Sequence, residues 1–247
     1  MLEVNRQELR TALEKEKDLS ELKSRFVTMA SHEFRTPLST ILTSVSLISK
    51  YNDVGQDEKR FKHIDRIKSA VSNLTSILND FLSLGKLEEG KVQYSATEFD
   101  LPVFSQDLVN EMREVSKKGQ SIIYEHQGVQ SIVFLDKNLT RNICINLLSN
   151  AIKYSNEGSR IDFKTIHEND KIVLEVTDHG IGIPESEQQH IFERFFRAGN
   201  ASNIQGTGLG LNIVKKYVEL LNGEVGFKSV YGKGTTFKVI LPTKTTS

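Results

Sequence analysis

His32 is the histidine of this chain whose neighbours best suit nucleophilic chemistry. It lies in Ser31–Leu38, within an apolar periodic stretch that predicts a helix, and Pro37 removes a backbone donor about one turn later. Glu33 could reach the ring nitrogen nearer the backbone, fix the tautomer and leave the lone pair of the outer nitrogen able to attack. A partly buried packing histidine explains this helix alone equally well. The other five histidines lie beside charged or turn residues, which favours solvated or locally bonded rings: His63, His126, His167, His179 and His190.

Three amides recur at every fourth residue of a predicted helix, at Asn142, Asn146 and Asn150. They would form a polar ridge opposite an apolar stripe of the same helix. A solvent-facing ridge is the simplest interpretation, but asparagine is a mediocre helix former. Its side-chain oxygen suits a hard, partly hydrated Mg²⁺ ion, and Lys153 adds a positive charge that could attract phosphate.

Two glycine-rich segments could approach a ligand closely. Asp178–Pro184 ends a predicted strand, where glycines permit close backbone approach and the Asp178 carboxylate can accept from an exocyclic amine. Gly206–Leu211 opens a predicted helix whose free amides can hold phosphate, although this glycine spacing alone is weak support. The long polar stretch between them is typical of a lid, with Ile191–Phe196 as a plug at its base.

Two long helices joined by a short polar turn are predicted to carry His32. Apolar residues step by three and four from Leu19 to Met29, and the pattern resumes from Leu38 to Ile48. After a break at Asn52–Gly55 it returns from Ile67 to Phe81. Leu2 and Leu9 are out of phase with the first seam, which indicates a stutter in an N-terminal coiled coil. Because one hairpin would leave its seams exposed, we expect a homodimer that closes a four-helix bundle.

After residue 90 the periodicity becomes that of an α+β domain. Three helices are predicted, at Ser105–Ser116, Asp136–Tyr154 and Leu209–Leu221, with Asp136 as an N-cap. Five strands are predicted, at Ser121–Glu125, Arg160–Ile166, Lys171–Asp178, Glu224–Ser229 and Thr235–Leu241. This order predicts an α+β sandwich with helices on one face of a mixed sheet.

Composition narrows the class of protein. Lys plus Arg and Asp plus Glu both number 32, so no net charge favours nucleic acid or an anionic membrane. No apolar run approaches the ~20 residues that span a bilayer, and the charged N-terminus is unlike a signal peptide. Cys144, the single cysteine, predicts a small buried side chain in a reducing compartment. We expect a cytoplasmic chain without nucleic-acid partners, whose contact with a membrane would come only through segments outside it.

Five segments, in this order along the chain, resemble the sequence boxes of sensor histidine kinases. His32–Leu38 resembles the phospho-acceptor box, Asn146–Tyr154 the N box, Asp178–Ile183 the first glycine box, Phe192–Phe196 the F box and Gly206–Leu211 the second glycine box. One such segment would be weak support, but five at plausible spacings cover nearly the whole chain. His179 departs from the family pattern, in which asparagine is commoner.

The resemblance implies three regions. These are a signalling coiled coil at residues 1–22, a dimerisation and histidine-phosphotransfer hairpin at 23–90, and a catalytic ATP-binding domain of the gyrase kind at 91–247. It also implies that ATP with Mg²⁺ phosphorylates His32, and that the phosphoryl group passes to an aspartate of a response regulator receiver domain. Glu33 would orient His32 or act as its base, and Thr36 with Glu33 would position water for phosphatase activity toward the partner.

The resemblance assigns the nucleotide site residue by residue. Asn146 and Asn150 would meet Mg²⁺ and the phosphates, and Lys153 and Tyr154 would contact the nucleotide. Asp178 would bond the adenine amino group. The remaining residues would shape the adenine pocket or flank the phosphates at the lid hinge: Gly180, Gly182, Gly206, Thr207, Gly208, Leu209 and Gly210.

Two other functions compete with an active kinase. One is a signalling scaffold that retains the fold without activity, and intact residues in all five boxes argue against it. The other is an ATPase of the gyrase class, in which nucleotide closes a conformational clamp. That class has no reason to carry a histidine beside a kinked helix in a preceding hairpin.

Overall fold

The computed structural model describes residues 27–51 and 56–243. The chain divides into two compact units, Met1–Asn79 and Asp80–Ser247. The predicted N-terminal coiled coil and the turn at Asn52–Gly55 lie outside the described residues. Among the residues that are described, no helix is both long enough and apolar enough to cross a bilayer.

A helical hairpin forms the first unit, as predicted. Helix α1 covers residues 27–48 of the described chain, and helix α2 covers Asp57–Glu88, whose last residues belong to the second unit. Along α2, buried residues recur at a spacing of seven, at His63, Ala70 and Ile77. Five residues of the predicted apolar seams are instead exposed in the single chain: Leu38, Leu42, Val45, Val71 and Leu78.

Two of the five histidines for which a solvated or locally bonded ring was expected are buried. His63 is 7% exposed, with Nδ1 3.4 Å from Ser44 Oγ and its ring stacked on Tyr51. His167 is also buried, with Nδ1 2.9 Å from the carbonyl oxygen of Gln130. Charged neighbours in sequence are a poor guide to burial, because the residues that cover each ring come from other parts of the chain.

The second unit is the predicted α+β sandwich. Its helices are α3 (Leu101–Glu114), α4 (Lys137–Tyr154) and α5 (Gly210–Leu220). Its strands are β1 (Thr97–Asp100), β2 (Ser121–Gln127), β3 (Ile132–Leu135), β4 (Arg160–Glu168), β5 (Lys171–Asp178), β6 (Glu224–Val230) and β7 (Gly234–Pro242). The main sheet has the order β2-β4-β5-β7-β6, with β2 and β4 parallel and the other neighbours antiparallel, which confirms a mixed sheet. The sequence missed β1 and β3, which are four residues long and pair only with each other.

Helix caps explain where α3 and α4 begin. The predicted start of α3 at Ser105 is wrong, because the Asp100 side chain accepts from Val103 N at 2.8 Å and starts the helix at Leu101. The predicted cap of α4 is confirmed, since Asp136 Oδ1 accepts from Asn138 N at 3.0 Å. These ends set the register of α4, whose polar face carries the amides.

The core of the second unit lies where α3, α4 and α5 contact the main sheet. Its innermost side chains are 1% exposed or less: Leu108, Ile143, Leu147, Phe163, Leu174, Ile213 and Val239. Cys144 belongs to this core as predicted, and burial raises the pKa of its thiol to about 12. The thiol is therefore protonated and unreactive at neutral pH.

Candidate active site

The ring of His32 faces outward from helix α1. Its side chain is 77% exposed, whereas that of the neighbouring Glu33 is 7% exposed. His32 Nδ1 and Glu33 Oε1 are 3.7 Å apart, too far for a direct hydrogen bond but close enough for the carboxylate to orient the ring. The alternative of a packing histidine is therefore wrong for this chain, because most of the ring is open to an approaching group.

An open groove between helices α1 and α2 lies beside the His32 segment. Thr36, one turn beyond His32, is exposed at this groove. The lining is mostly hydroxyl-bearing, with two arginines: Arg35, Thr36, Ser39, Thr40, Thr43, Ser44, Leu47, His63 and Arg66. Such a surface can accept a polar, acidic partner.

A pocket of the second unit brings together residues that the sequence singled out from separate segments. It holds about 600 Å³ of space, open solvent at its mouth included. Helix α4, the end of β5, the base of the predicted lid (the lid base, residues 191–201) and strand β7 all contribute. The polar residues of its lining are Asn150, Tyr154, Asp178, Arg197, Asn200 and Thr235.

Asp178 is a buried carboxylate in the wall of this pocket. Burial raises its pKa, while hydrogen bonds from the backbone amides of Gly180 and Thr235 and the nearby His179 oppose the rise. The Gly180 amide donates to Asp178 Oδ1 at 2.8 Å. A carboxylate fixed in this way can accept a hydrogen bond from an amino group on a planar ring.

The first glycine box is held between the end of α4 and the β6–β7 hairpin. A Cβ at Gly180 would overlap the Tyr154 carbonyl oxygen, and the Ile181 amide donates to that same oxygen at 3.1 Å. Gly182 has a φ of +59°, and a Cβ there would overlap the Val230 carbonyl. Glycines are therefore required here by backbone contacts that shape the pocket floor.

The second glycine box lies against the polar face of α4. A Cβ at Gly210 would lie 2.8 Å from Asn146 Oδ1, and a Cβ at Gly206 would overlap Lys153 Nζ. The tertiary fold therefore brings together the amide and lysine of the N box and the glycines that were assigned to phosphate. Asn142, the first of the three amides, is exposed. Its backbone carbonyl oxygen accepts a hydrogen bond from Asn146 Nδ2 at 2.9 Å.

Thr207 and Leu209 have different positions within this glycine segment. Thr207 Oγ1 accepts from the Leu209 amide at 3.2 Å, which stabilises the turn into α5. The Leu209 side chain is fully buried. Only the backbone of Leu209 can therefore contact a nucleotide, whereas its side chain anchors the segment to the core.

We expect Gly208→Ala to disrupt the base of the lid. Gly208 has a φ of +69°, and an added Cβ would lie 2.7 Å from the Phe195 carbonyl carbon and the Phe196 carbonyl oxygen. The substitution should destabilise the fold by about 1–3 kcal/mol and weaken ATP binding at least about tenfold. Thermal unfolding and calorimetric titration measure the two effects. Gly226→Ala is the matched control, because it meets nothing within 4 Å; equal behaviour of the two variants would contradict the proposed strain.

Several residues at the site were missed by the sequence. Arg197 Nη2 donates to the carbonyl oxygens of Ala201 at 3.1 Å and Ser202 at 3.0 Å, which folds the lid base. Asn200 Nδ2 donates to Gly182 O at 2.8 Å and ties the lid base to the first glycine box. In a loop rich in polar residues, no spacing distinguishes these two side chains. Only their backbone partners, which are distant in sequence, show their roles.

Family comparisons agree with this division into an acceptor helix and a nucleotide pocket. A model described as "Histidine kinase-, DNA gyrase B-, and HSP90-like ATPase" matches residues 135–245. A model described as "His Kinase A (phospho-acceptor) domain" matches residues 22–90, which include His32. The chain belongs to the sensor histidine kinases. It is a histidine kinase core, in which a phospho-acceptor domain precedes an ATPase domain.

Curated relatives cover nearly the whole of this histidine kinase core. It is 32% identical over 244 residues to the circadian input-output histidine kinase CikA of Synechococcus elongatus, covering 97% of this chain and 32% of that protein. It is 32% identical over 253 residues to the autoinducer 2 sensor kinase/phosphatase LuxQ of Vibrio parahaemolyticus, covering 99% of this chain and 29% of LuxQ. The chain thus spans about a third of the length of these relatives.

Solved histidine kinases share the fold. The mycobacterial sensor histidine kinase MprB is 26% identical with a TM-score of 0.52, over 61% of this chain and 99% of that one. The histidine kinase ThkA, solved in complex with the response regulator protein TrrA, is 24% identical with a TM-score of 0.64. That match covers 94% of this chain and 64% of that one. These matches confirm the predicted fold class of a helical hairpin followed by an α+β ATPase domain.

Proposed function

We propose that this histidine kinase core transfers the γ-phosphoryl group of ATP to His32 and then to an aspartate of a response regulator. The observation that carries the proposal is the exposed ring of His32 beside the buried Glu33 carboxylate. Incubation of the whole chain with γ-labelled ATP tests it. We expect acid-labile label on the protein. If no label is incorporated, an inactive signalling scaffold would be the better interpretation. The phospho-acceptor match already disfavours a gyrase-type clamp.

The pocket of the second unit supports adenine nucleotide as the phosphate donor. Asp178 would accept from the adenine amino group, and Tyr154 and Ile181 would border the ring at the same pocket. Asn146 and Lys153 would meet the phosphates, since both lie against the second glycine box. The lid base, held by Arg197, would exclude water so that hydrolysis does not compete with transfer.

The donor atoms also fit Mg²⁺, the ion that normally accompanies ATP. Asn146 and Asn150 lie one turn apart on α4, Asn146 Oδ1 is directed toward Gly210, and Asn150 lines the pocket. Amide oxygens are suitable ligands for this ion. When bound, Mg²⁺ would neutralise charge on the phosphates.

The proposed transfer forms one bond and breaks one. The lone pair of His32 Nε2 attacks the γ-phosphorus, the bond to the bridging β–γ oxygen breaks, and ADP leaves with that electron pair. Glu33 beside Nδ1 would hold the Nδ1–H tautomer and stabilise the positive charge that develops on the ring. The second transfer breaks the P–N bond and forms an acyl phosphate on the regulator, which returns neutral imidazole.

The groove beside His32 supports a receiver domain as the second substrate. Arg35 and Arg66 place positive charge in a lining otherwise made mostly of hydroxyl groups, which complements the acidic site that surrounds a receiver's aspartate. Thr36 lies in the same groove. We propose that Thr36 and Glu33 position water for removal of phosphate from the regulator; a Thr36→Ala variant with undiminished phosphatase activity would contradict this role.

We propose a homodimer through the exposed seams of the hairpin. Leu42 is 70% exposed in the single chain, and Leu38, Val45, Val71 and Leu78 are 49–55% exposed, so pairing would bury an apolar face. Light scattering should give twice the chain mass of 27.9 kDa. Leu42→Lys should shift the chain to the monomer, whereas Val129→Lys, at a fully exposed site in the second unit, should not. A monomeric wild-type chain at micromolar concentration would contradict the homodimer.

We also propose the three regions 1–22, 23–90 and 91–247 as a signalling coiled coil, a phosphotransfer hairpin and a catalytic domain. The phospho-acceptor match at residues 22–90 supports the second of them. The proposed use of ATP and of a receiver domain supports a cytoplasmic location for this kinase core. Limited proteolysis that releases a stable fragment beginning near residue 91 tests the last boundary.

A further inference from the structure

Asp80 makes a contact that the proposed reaction does not use. This residue belongs to the second compact unit, in the last third of helix α2. Its Oδ2 accepts a hydrogen bond from Thr207 Oγ1 at 2.7 Å, across 127 residues of sequence. The carboxylate of Asp80 therefore reaches the glycine segment to which we assign the phosphates.

The groups around this carboxylate are those that a phosphate would need. The Thr207 hydroxyl accepts from the Leu209 amide, so its own proton is available to the anion. Lys153 carries positive charge near Asp80 and lies against Gly206. The N-terminus of the 11-residue helix α5 follows directly, and its amides favour negative charge. The Asp80 carboxylate thus occupies a place where the surrounding groups favour the binding of an anion.

We propose that the Asp80 carboxylate is an intramolecular stand-in for nucleotide phosphate, which ATP must displace from Thr207 and Lys153 in order to bind. It rests on the proposed binding of ATP at this pocket. The two anions compete because they need the same hydroxyl and the same ammonium group. Burial raises the pKa of Asp80, and the Thr207 hydrogen bond and the nearby Lys153 oppose that rise, so these partners offset the desolvation cost of the carboxylate only in part.

This competition has a reciprocal consequence. The apparent affinity for nucleotide is reduced by the fraction of molecules in which Asp80 covers the phosphate-binding groups. By linkage, bound nucleotide phosphates release the Asp80 end of α2 from the glycine segment to the same extent. The affinity of ligands that carry phosphate should therefore depend on the contact between Asp80 and Thr207. The affinity of adenosine, which would fill only the adenine part of the pocket, should not.

Calorimetric titration of the whole chain with ATP, ADP and adenosine tests the proposal. Asp80→Asn removes the charge but keeps the shape, and we expect ATP and ADP to bind about five- to tenfold more tightly. Adenosine affinity should change by less than about twofold. Glu89→Gln is the matched control, because its carboxylate lies nine residues further along the chain and pairs only with Lys91 among the ion pairs described; it should bind all three ligands as the wild type does.

The outcomes separate this competition from the proposed function. If the wild type binds ATP and Asp80→Asn binds it equally or more weakly, Asp80 is not a competitor, and the kinase function is untouched. If adenosine affinity rises as much as ATP affinity, the substitution opens the pocket generally, and the phosphate role is wrong. If the wild type binds no adenine nucleotide, both proposals fail. Asp80→Ser, checked for folding by circular dichroism, replaces the first variant if Asp80→Asn does not fold.

Discussion

Replacing His32 with glutamine is expected to abolish phosphorylation of this chain while leaving ATP binding intact. The side chain is 77% exposed on α1, and it is absent from the lining of the nucleotide pocket. Glutamine retains a polar side chain of similar size but has no nitrogen lone pair able to attack phosphorus. Incorporation of label from γ-labelled ATP should fall to background, a loss of at least about 10³-fold if the nucleophile is removed. Calorimetry should give an unchanged affinity for ATP.

A second histidine provides the control for this experiment. His126 lies on the edge strand β2, where its Nδ1 contacts Thr165 Oγ1 at 2.8 Å, and no pocket-lining residue comes from that strand. His126→Gln should therefore incorporate label as the wild type does. Phosphorylation that survives in His32→Gln would place the acceptor elsewhere, and mass spectrometry of the labelled peptide would identify it.

Asp178→Asn is expected to have the largest effect on nucleotide binding. The buried carboxylate accepts from the Gly180 amide at 2.8 Å, and it would also accept from the adenine amino group. An amide in its place removes the negative charge and replaces one acceptor oxygen by an NH2 donor, and a lost charge-assisted hydrogen bond costs about 1.5–3 kcal/mol. ATP affinity should therefore fall by about 10- to 100-fold, measured by calorimetric titration, and phosphorylation should become slow at limiting ATP.

Stability separates this loss of binding from misfolding. Burial raises the pKa of Asp178, so the folded state favours the protonated acid, and the stability that this group contributes at low pH is lost as pH rises through the raised pKa. At neutral pH, Asp178→Asn should therefore unfold at a temperature equal to or above that of the wild type. Asp162→Asn, on neighbouring strand β4, is the control with unchanged affinity. If the melting temperature of Asp178→Asn is strongly lowered, its weak binding of ATP would be explained by unfolding rather than by the lost hydrogen bond.

The sequence was informative wherever chemistry requires a particular residue type within one segment. A histidine followed by Glu33, amides at every fourth residue and two glycine runs each mark a local requirement, and their order along the chain identifies the family. The cap at Asp136 and the strands of the main sheet followed from similarly local rules. The short strands β1 and β3 did not, because four residues carry too little periodicity to be detected.

By itself, therefore, the sequence determined the family and the fold class, and it predicted the residues that would perform phosphoryl transfer. The tertiary structure alone decided which of those residues lie together, Asn146 with Gly210 and Lys153 with Gly206, and it added Asn200, which contacts Gly182. It also decided that His63 is buried and that Asp80 reaches Thr207. Residue type and spacing describe one element at a time, whereas burial and contact between distant segments depend on how helices and strands pack against one another.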